Sequence, residues 1–206
     1  MKIKQLNQDC LELSVSHPQE KRKKVGILIN PFGNLKSLAG DIVILANEPK
    51  GMPKISGEPF IVRGPGEYEI QGIFIDGIRM LAEGKEDGTI YIIGAEGIRT
   101  CYWPTPSKGG LSPGQLERIG VIGVLLIPID GPGGLLKQEA SKIISQIEPN
   151  VIIFIDHSIL KGERGDEKIR GFLKEMGLKS IQKEKEVVLK KEDIKEDERK
   201  FILISN

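Results

Sequence analysis

EPFIVRGPGEYEIQGIFIDGI, residues 58–78, is a chain of short β-forming pieces cut by glycine and proline. Phe60, Ile61 and Val62 run into Gly64-Pro65-Gly66, the piece around Tyr68 and Ile70 runs into Gly72, and Ile73–Ile78 follows directly. Proline withdraws a ladder donor, and glycine admits turn geometry that other residues resist. The spacing therefore predicts a meander with tight turns.

Outward from this stretch the strand signals continue. Leu11, Leu13 and Val15 alternate with Glu12, Ser14 and Ser16, which puts three apolar side chains on one face of a half-buried strand. VGILIN (25–30), ended by Pro31 and Gly33, and DIVILAN (41–47) read as more buried strands. Asn47–Glu58, with two prolines and two glycines, reads as an irregular loop. On the other side, TIYIIGAEGIRTCYW (89–103) reads as a hairpin turning near Gly94–Gly97.

The second half changes character. Ser112 is placed to cap a short helix that opens on Pro113 and runs to Ile119. A strand at Val121–Ile129, a turn DGPGG (130–134), a helix at Leu135–Ile147 and a strand at Val151–Ile155 make a β-α-β unit, which expects a parallel pair. Ala140, Ile143, Ile144 and Ile147 form the buried stripe of that helix. Asp166–Gly177 reads as another amphipathic helix, with Ile169, Phe172, Leu173 and Met176 inward, and strands at Glu186–Lys190 and Phe201–Ser205 close the chain. Antiparallel strands first, then strands alternating with helices, suggest one layered α/β or α+β domain over residues 1–206.

Composition narrows the functions. Of 206 residues, 39% are hydrophobic and 29% charged, and 30 Lys and Arg against 29 Asp and Glu leave a formal charge of +1. No global field favours nucleic acid or an anionic membrane, so neither is an expected partner. The apolar runs at 121–129 and 151–155 fall far short of the roughly 20 residues of a membrane helix. MKIKQLNQDCLELSVS lacks the continuous apolar core of a secretory signal, so a cytoplasmic location and two reduced, inert thiols at Cys10 and Cys101 are expected. His17 and His157 are the only histidines, which excludes any mechanism built on a cluster of imidazole ligands.

The ordered set ILINPF (27–32), GDIVIL (40–45), EPFIVRGPGEYEIQGIFIDGI (58–78), TIYIIGAEGIRTC (89–101), LSPGQLERIGVIGVLLIPIDG (111–131) and EPNVIIFIDH (148–157) resembles the metallo-β-lactamase superfamily. The likeness is to its zinc-dependent hydrolases related to ascorbate-6-phosphate lactonase, with Gly40 where that family usually has alanine. The resemblance implies an α+β fold, a four-layer αββα sandwich, with a metal site at one edge formed by loops that follow the strands. The family's activity depends on a His-x-His-x-Asp-His motif, a further His followed by Gly-Asp, and a late His after a strand. Counted from Asp41, the first motif falls on Asn47, Glu48, Pro49, Lys50, Gly51 and Met52. The second falls on Tyr102 with Thr105, or on Trp103 with Pro106, and the late histidine on Asp156, with His157 one residue beyond. At most one metal ligand of the family's set remains.

The expected function is accordingly a metallo-β-lactamase-fold protein without its metal site or any cofactor, a non-catalytic binding or interaction module with a small molecule or a protein as partner. Asn47, Tyr102, Trp103 and Asp130 are the expected pocket-lining residues, and Asp156 and His157 the catalytic candidates. The alternative is a zinc-dependent hydrolase of a lactone, phosphodiester or similar ester, on a rearranged mononuclear site of Asp156, His157, Asp130 and Glu48. Tyr102 and Trp103 either fill the space of the missing metal or stack on a planar ligand. Residues 130–134 lack the Gly-Lys-Ser/Thr ending of a phosphate loop and read as a plain strand-to-helix turn. His17, the carboxylates of Glu67 and Glu69, and the mixed charge run Lys183–Lys200 read as solvated positions.

Overall fold

The structure is a computed structural model that describes residues 1–7, 10–20, 22–33, 35–36, 38–46, 51, 53–80, 88–104, 111–129, 137–156, 167, 170–174, 176–179, 181–195 and 197–205. In chain order the strands are β1 (Lys2–Gln5), β2 (Leu11–Ser16), β3 (Lys24–Ile29), β4 (Leu38–Ala39), β5 (Ile42–Leu45), β6 (Ile55–Ser56), β7 (Phe60–Arg63), β8 (Gly66–Ile70), β9 (Ile73–Arg79), β10 (Thr89–Ala95) and β11 (Ile98–Tyr102). Then come α1 (Pro113–Ile119), β12 (Val124–Ile129), α2 (Lys137–Ile147), β13 (Val151–Asp156), β14 (Gln182–Glu184), β15 (Glu186–Val188) and β16 (Lys200–Ile204).

These strands form two large sheets. One has six strands in the order β15-β1-β2-β3-β5-β7, the other eight in the order β14-β16-β13-β12-β11-β10-β9-β8, and β4 pairs with β6 as a separate ribbon. Alternation decides which residues meet between the sheets. Leu11, Leu13 and Val15 of β2, with Ile27, Ile29, Ile42 and Ile44, face Ile75, Tyr91, Ile93, Leu126 and Ile153 in one core. The opposite face of the larger sheet, including Ile92, Leu125, Ile127 and Phe154, packs under Ile143 and Ile144 of α2 and under Phe172 and Leu173. Phe154 meets Phe172 edge to face, with ring centroids 5.0 Å apart. Strand β12 is covered on both sides and is apolar without interruption, whereas β2 is covered on one side and alternates.

Consecutive strands cross between the sheets on both sides. On one side β7 passes to β8 through Gly64 and Pro65, and on the other β14 passes to β15 through Lys185. The first crossing is tight: a Cβ on Gly77 would stand 2.6 Å from the Gly64 carbonyl oxygen, so only glycine admits this approach. The meander of residues 58–78 is antiparallel in β8–β9, while β7 joins β5 in parallel. The two-residue turns at Gln71-Gly72 and Glu96-Gly97 have positive φ at both positions, the type I′ geometry that matches strand twist. The expected hairpin thus turns at Glu96-Gly97, with Gly94 still inside β10.

Several boundaries differ from the sequence reading. Val121 is 86% exposed and belongs to a turn between Gly120 and Gly123, so the strand begins at Val124. The segment read as an irregular loop contributes β6. Strands β1 and β14 carry too few apolar residues to stand out in the sequence; their neighbours supply the pairing. Helix α1 forms as expected: Ser112 Oγ accepts the Gln115 N–H, and Gln115 Oε1 accepts the Ser112 N–H. Residues 170–174 are helical within the expected last helix, while Ile169 lies outside the described residues. The paired sheets and the helical layer over the larger one are those of the expected α+β sandwich. Over the outer face of the smaller sheet, among the described residues, lies the β4–β6 ribbon, with Leu28, Phe32, Leu38, Val43 and Leu45 buried there. No helix among the described residues is long and apolar enough to cross a membrane.

Ile93 has no exposed surface in the core between the sheets, so Ile93→Ala should cost about 2–5 kcal/mol. Val121→Ala, at an exposed turn, should stay within about 0.5 kcal/mol of wild type when both are compared by urea unfolding.

Candidate functional site

Strands β3 and β5 of the smaller sheet, and β11, β12 and β13 of the larger, end at one edge of the sandwich. Asn30, the residue after β3, ties the two sheets together there. Its φ of 46° is a left-handed conformation that asparagine tolerates. That geometry aims the amide across the edge. Asn30 Oδ1 accepts the Ala46 N–H at 2.8 Å, and Nδ2 donates to Tyr102 Oη at 3.0 Å. Asn30 is 1% exposed and Tyr102 2%, so the contact lies in a low-dielectric interior where an unmet polar group is costly.

Tyr91 lies beside Tyr102 on the neighbouring strand. Its hydroxyl donates toward the Gly64 and Leu45 carbonyls, at 3.2 and 3.4 Å. Burial disfavours the phenolate and pushes the Tyr91 pKa up to about 12. Asn30 and the two tyrosines thus form a buried polar layer beneath the edge.

Tyr102 and Trp103 point to opposite layers, as successive residues of a strand do. Tyr102 enters the core between the sheets, whereas Trp103, fully buried, joins the core under the helices. Trp103 Nε1 has no hydrogen-bond partner among the described residues. Asp156 is the last residue of β13, paired with Ile129 and three positions beyond the level of Tyr102. Asn47, Glu48, Asp130 and His157, with the rest of the turn at 131–134, lie outside the described residues. Pro49, Lys50, Met52, Thr105 and Pro106 do as well.

His17 is at the opposite edge, in the turn between β2 and β3. It is not solvated: its side chain is 9% exposed, and Nδ1 accepts the N–H groups of Gln19 and Glu20 at 3.2 and 3.1 Å. The histidine holds the turn, a role its charged sequence neighbours obscure. Cys10 and Cys101 are buried thiols outside any disulfide, and burial raises the Cys101 pKa well above the ordinary thiol range. Glu67 and Glu69 are exposed on β8; Arg118 binds Asp76 through two nitrogens, at 2.6 and 3.1 Å, and reaches Glu67 only at 3.8 Å. The charge run at 183–200 is more than solvated surface: Val187 and Leu189 are buried in it, and Ile194 packs on the core.

Zinc takes imidazole, thiolate or carboxylate donors, three or four at a time. Among the described residues no group of three or more His, Cys, Asp or Glu could hold a metal ion. Of the positions aligned with the metal motifs, Gly51, Tyr102, Trp103 and Asp156 are described; Asp156 alone is of a donor type, and one carboxylate does not make a zinc site.

A family model described as a β-lactamase superfamily domain matches residues 16–156. No curated protein matches the chain. Among solved structures, a protein of Thermotoga maritima, provisionally assigned as a Zn-dependent hydrolase of the metallo-β-lactamase superfamily, superposes with a TM-score of 0.74 at 24% identity, covering 98% of this chain and 97% of its own. Igni18, a metallo hydrolase of Ignicoccus hospitalis, gives 0.57 at 15% identity, over 92% of this chain and 99% of its own. The metallo-β-lactamase fold protein YhfI of Bacillus subtilis gives 0.52 at 8% identity, over 83% and 92%. These likenesses are of fold.

Tyr102→Phe leaves a buried Asn30 donor without that acceptor and should cost about 1–3 kcal/mol in urea unfolding. Tyr91 keeps its proton more tightly folded than unfolded, so the native state binds more protons between about pH 10 and 12. Its contribution is complete below pH 10 and lost as pH rises toward 12. Unfolding free energy measured across that window should fall less steeply in Tyr91→Phe.

Proposed function

The chain belongs to the β-lactamase superfamily domain family, and from that premise we propose that it is a non-catalytic binding or interaction module that has lost the family's metal site. Tyr102 carries the reading. In one register the family's second ligand motif falls on this residue, whose buried hydroxyl accepts from Asn30 Nδ2 inside the core, and in the other on Trp103, which is packed under the helices. Zinc takes imidazole, thiolate or carboxylate at such a position, and neither residue supplies one.

The energetic argument is large. Water attacks an ester at neutral pH when a metal lowers its pKa from about 16 to about 7, worth roughly 12 kcal/mol in acidity. A single carboxylate or imidazole after β13 does not supply that. The order of motifs and the overall likeness to the Thermotoga maritima protein support descent from zinc-dependent hydrolases, with the ascorbate-6-phosphate lactonase group as the suggested branch. We place the protein in the cytoplasm, with both thiols reduced, a small molecule or another protein as its partner, and no cofactor.

A second reading rests on Asp156, which ends β13 at the same edge. In it Asp156, His157, Asp130 and Glu48 converge on one zinc ion and hydrolyse a lactone or phosphodiester.

Elemental analysis of protein purified without chelator separates the two. Zinc and iron far below one per chain are expected, with no turnover of lactone or phosphodiester substrates when divalent metal is added. A stoichiometric, tightly held metal would reject the proposal, and metal-dependent turnover abolished by Asp156→Ala or His157→Ala would establish the second reading.

A further inference from the structure

We propose that the outer face of the larger sheet at β8–β11 is a docking surface for a second copy of this chain, related to the first by a two-fold axis. One cross-strand row makes the contact. Glu69 of β8 pairs with Phe74 of β9, Phe74 with Gly94 of β10, and Gly94 with Arg99 of β11. Directly paired residues share a face, and the sequence neighbours Ile73, Ile75, Ile93 and Ile98 fill the core between the sheets. The row therefore stands on the outer side, where Glu69, Phe74 and Arg99 are exposed, Phe74 at 61%. It lies beside the Glu96-Gly97 turn, at the other end of β11 from Tyr102, and does not rest on the loss of a metal site.

A lone exposed phenylalanine is ordinary; the order of this row selects the partner. Read across the strands, the row is acid, aromatic, glycine, base. A two-fold axis parallel to the strands, between β9 and β10, lays that order on itself in reverse. Phe74 then stands over Gly94 of the second copy and Glu69 over its Arg99, and each contact occurs twice. Glu69 and Arg99 have no ion-pair partner among the described residues of their own chain. Arg99 is steadied by Nη2, which donates to the Ile119 carbonyl at 2.8 Å. Other arrangements bring like charges together. An axis along the row would set Glu69 on Glu69, and edge pairing of β8 centred on Tyr68 would oppose Glu67 to Glu69, both unfavourable.

Gly94 supplies the hole for the aromatic knob. It has no left-handed φ, and a Cβ there would meet nothing nearer than Phe74 Cβ at 3.7 Å, so the fold itself admits a side chain. Glycine weakens a strand interior, and its bare backbone lets another surface come close. Helix α1 bounds the face: Arg118 is held on Asp76, two residues along β9 from Phe74, and the helix ends where Ile119 meets Arg99. The uncovered strip is narrow beside the roughly 800 Å² per partner of a stable complex, so association is weak and depends on concentration.

Sedimentation velocity of the full chain, between roughly 10 µM and 1 mM, should show a monomer–dimer equilibrium. Phe74→Ser, Glu69→Arg and Arg99→Glu should each weaken it at least tenfold with circular dichroism unchanged. An equimolar mixture of Glu69→Arg and Arg99→Glu should recover the dimer, because both pairs across the contact then join opposite charges. Phe74→Ser and Glu69→Arg alter exposed side chains only, so they decide the matter even where Arg99→Glu does not fold. A wild-type chain that stays monomeric to 1 mM leaves this face to another partner and would overturn the proposal. So would a dimer that Phe74→Ser and Glu69→Arg leave at wild-type strength, or a mixture of the two folded charge variants that stays monomeric.

Discussion

Each of the two large sheets has to bury one apolar face, and neither can do so alone. Leu13, Ile27 and Ile42 on one sheet and Tyr91, Ile93 and Leu126 on the other have essentially no exposed surface, because each layer is the other's cover. At about 25 cal/mol per Å² of apolar surface removed from water, this mutual coverage dominates the favourable side of folding. Register follows from it. Moving a strand by one residue would turn every one of these side chains to the wrong face.

The margins of the sandwich are settled by smaller devices. Chain crossings at Gly64-Pro65 and at Lys185 close the two sides, and both lie where an outer strand would otherwise expose unpaired backbone. Strand β7 is an outer strand with Phe60 and Ile61 half exposed. Pro59 removes a donor next to it, and the Tyr68 hydroxyl occupies the Arg63 carbonyl at 3.2 Å, so little of that margin is open to pairing.

Polar groups tie the sandwich together at both of its ends. At the end where β5, β11, β12 and β13 stop, Asn30, Tyr91 and Tyr102 turn their polar atoms inward and satisfy them across the sheets. At the other end Asp41 collects donors from Gly26 of β3 and from Gln71 of the β8–β9 turn. The imidazole of His17 likewise serves its own turn. Of the residues marked by chemistry in the sequence, Tyr102 and Trp103 are structurally neighbours of the site edge yet both are packed away from solvent.

Local rules determined much of this from residues alone. Alternation in β2, the uninterrupted apolar run of β12, the Ser112 cap and the turn glycines each act within a few positions, so they are legible in one chain. So was the order of motifs that pointed to the family, and the shortage of histidine that argued against its chemistry. Tertiary structure alone decided which sheet each strand joins, that β1 and β14 exist, and that Val121 lies in a turn. It also decided that Asn30, 72 residues from Tyr102 in the chain, is its partner, and that Asp41 meets Gln71. Such pairings depend on where two sheets come to rest against each other, and a sequence pattern with a range of one turn or one strand carries no record of that distance.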